Sequence, residues 1–310
     1  MSYLFGVDIG GTTVKIGFLS TDGNIIDRFE IKTNKENNGS LILSDVAKAI
    51  VSYLDNNNID YNEVEGIGFG VPGPVTDNNI VTICVNISWK NKDVIKEFSK
   101  LIPFKTKMAC TNDANAAAIG EMYRGSDFNY RNVIMLTLGT GVGGGVIVDN
   151  KAIGGTHGAG GELGHVVIDF KHQFQCNCGL RGCLETVASA TGVVNIAKKY
   201  LKDNKSVLSN IKDLQCKDVF DNVGDNVADM VIDEVCEYLG RICSILAATT
   251  NPEVFIIGGG VSKAGDVLIK GIEKHFKKYS FGPTADTKIV LATLGNDAGM
   301  IGAALNVKSK

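Results

Sequence analysis

Carboxylates stand beside glycines, amides or thiols at four places in this 310-residue sequence. Asp8 precedes Gly10, Gly11, Thr12 and Thr13 in "DIGGTTVK", with Lys15 close behind. Asn112 and Asp113 open "NDANAAAIGE". Glu162 and His165 fall in "GAGGELGH", and Glu185 follows the cysteines of "CNCGLRGCLET". Glycine turns let successive backbone N–H groups close on an anion, and threonine hydroxyls add donors, so "GGTT" suits a phosphate. A carboxylate such as Asp8 at that turn can hold Mg²⁺, directly or through water. Asp113 could accept the proton of a hydroxyl that attacks a phosphoryl group. A polyhydroxylated ring needs carboxylates and amides in fixed geometry, which Asn112, Asp113, Glu162, His165 and Glu185 supply. Asp113 could equally cap the Ala-rich helix that follows it. The two roles are compatible, because a residue at a helix start can also face a ligand.

The cysteine cluster has the spacing C-x-C-x₄-C, Cys176, Cys178 and Cys183. Three thiols in so short a stretch suit a structural Zn²⁺ with four N/S ligands and no open position. Two histidines could supply the fourth ligand, His165 upstream or His172 nearer in sequence. The other five cysteines (Cys84, Cys110, Cys216, Cys236 and Cys243) are scattered and read as core filler. His157 and His275 read as ordinary polar residues.

The elements that must carry these groups alternate between strands and helices. "YLFGVDI" and "VKIGFLS" read as strands, and "TDGN" turns into a third, "IIDRFEI". "SLILSDVAKAIVSYL" has helical spacing with Ser40 as N-cap. "VEGIGFGVPGPV" is a strand entering a Gly/Pro loop, "NKDVIKEFSKLI" a helix, and "KTKMACTNDANAAAIGEMYRG" a strand, a polar turn and a helix. The strand–glycine–strand layout then returns in "NVIMLTLGTGVGGGVIVDNKAIGG", which suggests two related halves. A long helix ends before Asn251-Pro252. "EVFIIGGGV" and "TKIVLATLG" are strands, and "DAGMIGAALNV" is a final helix. The hinge is expected near "TNDANA".

Three glycine loops follow strands: "DIGGTT", "LGTGVGGG" and "IIGGGV". The second contains a formal G-x-G-x-x-G, but the dinucleotide motif must open a helix. Here a strand and hairpin follow, so that reading fails. No G-x-x-x-x-G-K-[ST] occurs. Any one of these loops could be an ordinary hairpin; their repetition points to a nucleotide.

"DIGGTTVK", "TLGTGVGGG" and "FIIGGGV" resemble the two phosphate motifs and the adenosine motif of the actin–hexokinase–Hsp70 superfold. Over nearly its whole length the chain resembles the ROK family (repressor, open reading frame, kinase), and within it the bacterial glucose-phosphorylating members. The resemblance implies an α/β, two-domain actin-like ATPase fold, hexokinase- and ribonuclease H-like, with an interdomain cleft. Residues 1–113 would form the first domain, completed by a C-terminal helix at about 297–310, and 114–296 the second, carrying the zinc motif. It implies ATP and Mg²⁺ at Asp8, Gly10, Gly11, Thr12, Thr13, Lys15, Gly139, Thr140, Gly141, Gly143, Gly259 and Gly260. Asp113 becomes the general base. Gly73, Asn86, Asn112, Asp113, Glu162, His165 and Glu185 become sugar contacts. Structural Zn²⁺ would sit on His165, Cys176, Cys178 and Cys183, because "GELGH" matches the family pattern.

The expected reaction is ATP-dependent phosphorylation of glucose at its 6-hydroxyl. Fructose, mannose, allose, N-acetylglucosamine and N-acetylmannosamine are the alternative acceptors, and polyphosphate an alternative donor. A sugar-responsive repressor is the competing class, but Asp8 leaves no room for a preceding DNA-binding domain. The net charge of −3 also gives no basic footprint for nucleic acid. A catalytically silent sugar-binding regulator is a third reading, weakened by intact Asp8 and Asp113. No apolar run is long enough to span a bilayer and no signal peptide is visible, so a cytoplasmic protein is expected. The family resemblance implies a homodimer or homotetramer.

Overall fold

The computed structural model describes residues 2–76, 78–125 and 130–309. Its strands are β1 (Tyr3–Ile9), β2 (Thr13–Ser20), β3 (Ile25–Lys32), β4 (Val64–Val71), β5 (Ile80–Cys84), β6 (Trp89–Asp93), β7 (Lys107–Asn112), β8 (Val133–Leu138), β9 (Val142–Val148), β10 (Lys151–Ala152), β11 (Val254–Gly258) and β12 (Lys288–Leu291). Two compact units result. The first is Met1–Arg131, Gly145–Gly161 and Leu294–Lys310; the second is Asn132–Gly144 and Glu162–Thr293. The helix Asp113–Gly120, placed in the second half by the sequence-based division, lies in the first unit.

The first unit holds a mixed five-stranded sheet, β3-β2-β1-β4-β7, and the hairpin β5-β6. β1 pairs antiparallel with β2 and parallel with β4, and β4 pairs parallel with β7. β1 and β4 are buried along nearly their whole length, because helices cover both faces of the sheet's parallel part. The helix Ile42–Asn56 lays Ile42, Val46, Ile50 and Leu54 against one face. The helix Ala298–Asn306 packs on the same sheet. A Cβ on Gly6 would meet the carbonyl oxygen of Met300, and one on Gly68 that of Ala303. Small residues therefore let helix and sheet backbones touch.

The second sheet repeats that order as β10-β9-β8-β11-β12, with β11 parallel to both β8 and β12. The twofold use of one topology is the repeat expected from the sequence. The helix Asn226–Thr250 is capped by the Asp225 carboxylate, which accepts from the N–H groups of Val227 and Ala228, and ends with Asn251 in the left-handed region before Pro252.

Three local expectations change. Ser40 does not cap: the helix begins at Ile42 behind Leu41. "NKDVIKEF" begins as β6, and only Val94–Phe98 is helical, capped by Asp93. Beyond Gly120 the chain passes into a wider π-type turn, Glu121–Gly125. Among the described residues no helix is long and apolar enough to cross a membrane.

Candidate active site

In the first unit the groups singled out from the sequence gather at one end of the sheet. In register, Asp8 lies opposite Lys15 on β2 and Gly70 on β4, while Gly70 pairs with Thr111 on β7. Asp8, the loop after β4 and Asn112–Asp113 thus leave the carboxyl ends of three adjacent parallel strands, where α/β sheets place ligands. The β1–β2 turn is tight: Gly10 N–H donates to the Thr13 carbonyl at 3.0 Å. A Cβ on Gly10 would lie 2.8 Å from that oxygen, so only glycine fits there. Thr33, absent from the sequence-based candidates, anchors the turn from outside. Its hydroxyl donates to Gly10 O at 2.7 Å and its N–H to Thr12 O at 2.9 Å.

The Asp8 carboxylate is half-buried and has no hydrogen-bond partner among the described residues. Burial raises its pKa above the ordinary carboxylate value, and the Lys15 ammonium pulls the other way. A half-buried, unpartnered carboxylate at the mouth of a glycine turn fits a divalent cation. The Lys15 ammonium donates to Asn296 O at 3.3 Å.

Asn112, rather than Asp113, takes the capping position of the helix Asp113–Gly120. Its Oδ1 accepts from Ala114 N–H at 2.8 Å and Asn115 N–H at 3.2 Å. Its Nδ2 donates to Gly73 O at 3.1 Å. The side chain is thus part of the scaffold, and Asp113 is left exposed at the first helical position. One Asp113 oxygen accepts from Ala114 N–H at 2.8 Å. Gly73 has φ +91°, and a Cβ there would be 2.5 Å from Ile83 O. Asn86 lies in the short turn Val85–Ile87 with its Cβ facing Gly11. Glu121 was also missed: buried in the first unit, it accepts the Leu294 N–H at 2.8 Å.

In the second unit the turn between β8 and β9 is closed by Gly139 N–H donating to Gly141 O at 2.9 Å. Gly143 lies within β9, beyond the turn. Glu185 reaches this loop: its Oε2 accepts from Val142 N–H at 3.2 Å and fills the space a side chain at Gly141 would need. Gly259 has φ +84° and lies directly on the Leu138 backbone. Gly260 and Thr140 line a cavity of about 620 Å³ with Thr191, Asn195, Gln215 and Phe220. None of those four wall residues was visible as a motif. Cys216 lines the same cavity and is half-buried, whereas Cys84, Cys110, Cys236 and Cys243 are buried as core filler.

His165, Cys176, Cys178 and Cys183 come together with all four ligand atoms within 4.8 Å of one another. Cys176 Sγ lies 3.7 Å from His165 Nδ1, and Cys178 Sγ 3.6 Å from Cys183 Sγ. Tetrahedral zinc with Zn–S of about 2.3 Å has S···S edges of about 3.8 Å, so the set fits the ion. His172 is turned elsewhere, with φ +51° and Nδ1 3.1 Å from Arg181 O. Glu185 Oε1 lies 3.7 Å from Cys176 Sγ, so one carboxylate spans the cluster and the glycine loop. Glu162 immediately precedes the turn Leu163–His165, half-buried and with no side-chain partner among the described residues. A Cβ on Gly164 would strike Val142 O, so that turn lies directly against the loop strand.

Residues 4–310 match the model of the ROK family. The chain belongs to the ROK family. It is 43% identical to the glucokinase of Halalkalibacterium halodurans across 98% of this chain and 94% of that one. It is 35% identical to the glucokinase of Thermotoga maritima, covering 99% of this chain and 98% of the relative. Among solved structures, the ROK family glucokinase of Streptomyces griseus in complex with glucose and AMPPNP matches at TM-score 0.75 and 30% identity, with both chains wholly covered. The chain therefore has the actin-like ATPase fold that its repeated sheets suggest, and the three relatives just described are glucokinases.

Proposed function

We propose that this ROK protein transfers the γ-phosphoryl group of ATP to the 6-hydroxyl of glucose. The observation that supports this most strongly is the common carboxyl end of the parallel strands in the first unit. Asp8 and the Gly10–Thr13 turn leave the end of β1, Asp113 follows β7 on the other side of β4, and Asn112 caps the helix so that Asp113 is presented. Asp113 acts as the general base. Its carboxylate accepts the hydroxyl proton as the sugar oxygen bonds to the γ-phosphorus. The bond from that phosphorus to the β–γ bridging oxygen breaks, and its electron pair leaves with ADP. Asn86, Asn112, Glu162, His165 and Glu185 are the polar sugar contacts that the family resemblance assigns, with Gly73 shaping the loop. The glycine turns at Gly139–Gly141 and Gly259–Gly260 and the 620 Å³ cavity serve the nucleotide.

Asp8 is the residue that would hold Mg²⁺, which when bound supplies positive charge to the phosphate oxygens. His165, Cys176, Cys178 and Cys183 would hold a structural zinc that orients the turn carrying Glu162 and the segment carrying Glu185. A cytoplasmic homodimer or homotetramer goes with this reading by family resemblance.

The test is a coupled ADP-release assay with Mg-ATP across glucose, fructose, mannose, allose and the N-acetylhexosamines, with Asp113→Asn alongside. Glucose should turn over best. The variant should bind glucose normally by calorimetry and lose about 10²–10⁴ in kcat. Near-parental turnover in Asp113→Asn would refute the base assignment. Turnover with another sugar would move the specificity, and no turnover with any would refute the kinase reading.

A further inference from the structure

Gly11 is a glycine without a local reason to be one. Its φ is not in the left-handed region, and a Cβ built on it meets nothing closer than ordinary van der Waals contact. Gly10 beside it is different, since its Cβ would collide with Thr13 O. What a side chain at residue 11 would fill is the space in front of the turn. That space has two walls: the Lys35 ammonium, 3.6 Å from the Cβ position, and Asn86 Cβ, 3.7 Å from it. It opens into a cavity of about 600 Å³ lined by Gly11, Thr12, Thr33 and Lys35, with Lys32, Glu36 and Asp45 among the remaining walls.

Lys35 is exposed, yet its backbone is pinned on both sides. Two residues before it, buried Thr33 bonds to Gly10 O and Thr12 O. Four residues after it, Gly39 O accepts from the buried Trp89 indole at 3.0 Å, and Gly39 N–H returns to Lys35 O at 3.3 Å. Gly39 has φ +67°, and a Cβ there would lie 2.9 Å from Trp89 Nε1, so the closure is specific. Trp89 begins β6, three residues after Asn86. The segment 33–39 is thus fastened to the glycine turn at one end and beside the Asn86 turn at the other. The Lys35 ammonium makes no ion pair among the described residues, although Glu36 and Asp45 line the same cavity.

An unpaired cation held over a glycine turn that faces phosphate has one evident occupant. We propose that Lys35 is a catalytic residue of the phosphoryl transfer: its ammonium contacts the oxygens of the group in transit, in the space kept open by Gly11. This rests on the sugar-kinase reading and adds a residue to it. Lys35 stays protonated throughout; the hydroxyl proton goes to Asp113. Lysine serves here as a point charge for phosphate oxygens, and its charge counts most as the phosphoryl group passes between two oxygens. The same contact persists to the phosphate of the sugar product, whereas glucose itself presents no anion to it.

The test measures calorimetric binding of glucose and of glucose 6-phosphate to the parent, Lys35→Met, Lys35→Arg and Lys32→Met, together with steady-state kinetics. Lys35→Met should bind glucose within about twofold of the parent, bind glucose 6-phosphate at least tenfold more weakly, and lose about 10²–10³ in kcat. Lys35→Arg should recover part of both losses. Lys32→Met, on the same cavity wall, should change neither by more than about twofold, because generic surface charge is screened. Unchanged glucose 6-phosphate affinity and kcat in Lys35→Met would overturn the assignment, as would equal losses in Lys32→Met. A parent protein that fails to bind glucose would refute the sugar-kinase reading instead. Lys35 is then judged by Mg-AMPPNP, for which an unchanged affinity in Lys35→Met overturns it.

Discussion

Gly259→Ala tests whether the third glycine turn is built as described. The native residue has φ +84° and ψ −177°, a region essentially reserved for glycine. An alanine Cβ would lie 2.5, 2.6 and 2.7 Å from the O, C and N atoms of Leu138. Those are backbone atoms at the end of β8, so no flexible side chain can give way, and each is about 1 Å inside the ~3.5–4.0 Å optimum for carbon contacts. The dihedral strain costs about 1–3 kcal/mol and the overpacking a further ~1–3 kcal/mol, together roughly 2–6 kcal/mol. At about 2–4 °C per kcal/mol, the unfolding transition of the second unit should fall by roughly 5–20 °C. Differential scanning calorimetry reads that shift. Gly260→Ala is the control: its Cβ meets nothing within 4 Å and its φ is ordinary, so it should unfold with the parent. Because Gly260–Ala264 walls the cavity assigned to the nucleotide, Gly259→Ala should also weaken Mg-AMPPNP at a temperature where it is folded. A variant that melts within about 2 °C of the parent would show that the strand end and the turn do not meet as described.

Asp8→Asn should stabilise the Mg²⁺-free protein at neutral pH while abolishing turnover. Burial raises the folded-state pKa of Asp8 above its unfolded value, so the ionised carboxylate opposes folding. That penalty is absent below the unfolded value of about 3.9 and develops as pH rises through the raised folded value. Melting curves of the two proteins should therefore coincide near pH 3.5 and separate towards pH 7; a variant less stable at pH 7 would contradict the sign. Cys178→Ser should lower the zinc content from about one ion per chain, measured by mass spectrometry, and raise the glucose KM more than the ATP KM, because the cluster touches Glu185 and none of its four residues lines the cavity assigned to the nucleotide. Full zinc occupancy in that variant would exclude Cys178 as a ligand.

Much of this was legible in the sequence because it is local. Glycine turns after strands, three thiols within eight residues, and two strand–glycine–strand layouts all declare themselves in a short window. What was hidden depends on which of two equivalent residues the fold chooses. Asn112 and Asp113 are both good caps, and only the Gly73 carbonyl, positioned by a loop 39 residues away, draws Asn112 into that role. His165 and His172 were both plausible ligands until the left-handed turn at His172 aimed one of them at Arg181 O. Ser40 looked like a cap because serine competes for helix N–H groups, but Gly39 held on Trp89 sets the chain's entry instead. The end of β6 was read as helix because Asn91, Lys92 and Asp93 run on without an apolar residue, which erases the alternation of a strand. Thr33, Lys35 and the walls of the 620 Å³ cavity could not be seen, since they come together across long stretches of chain.

The helix Ala298–Asn306 has a consequence for how the protein is made. It fills the groove over Gly6 and Gly68 and meets the helix Asp113–Gly120 where Gly302 lies on the Ala116 carbonyl. These contacts join residues at opposite ends of the sequence. A ribosome that has just completed Arg131 must add more than 160 residues before reaching Leu294, where the last segment of the first unit begins. At about 5–20 residues per second that is roughly 8–30 s. During this interval the emerging sheet lacks its covering helix, and β1 and β4 present a glycine-lined apolar trough to the cellular milieu. The second unit's long helix and sheet are translated within the same window and can fold first. The first unit becomes a closed body only when the helix Ala298–Asn306 arrives, after the whole of the second unit has been translated.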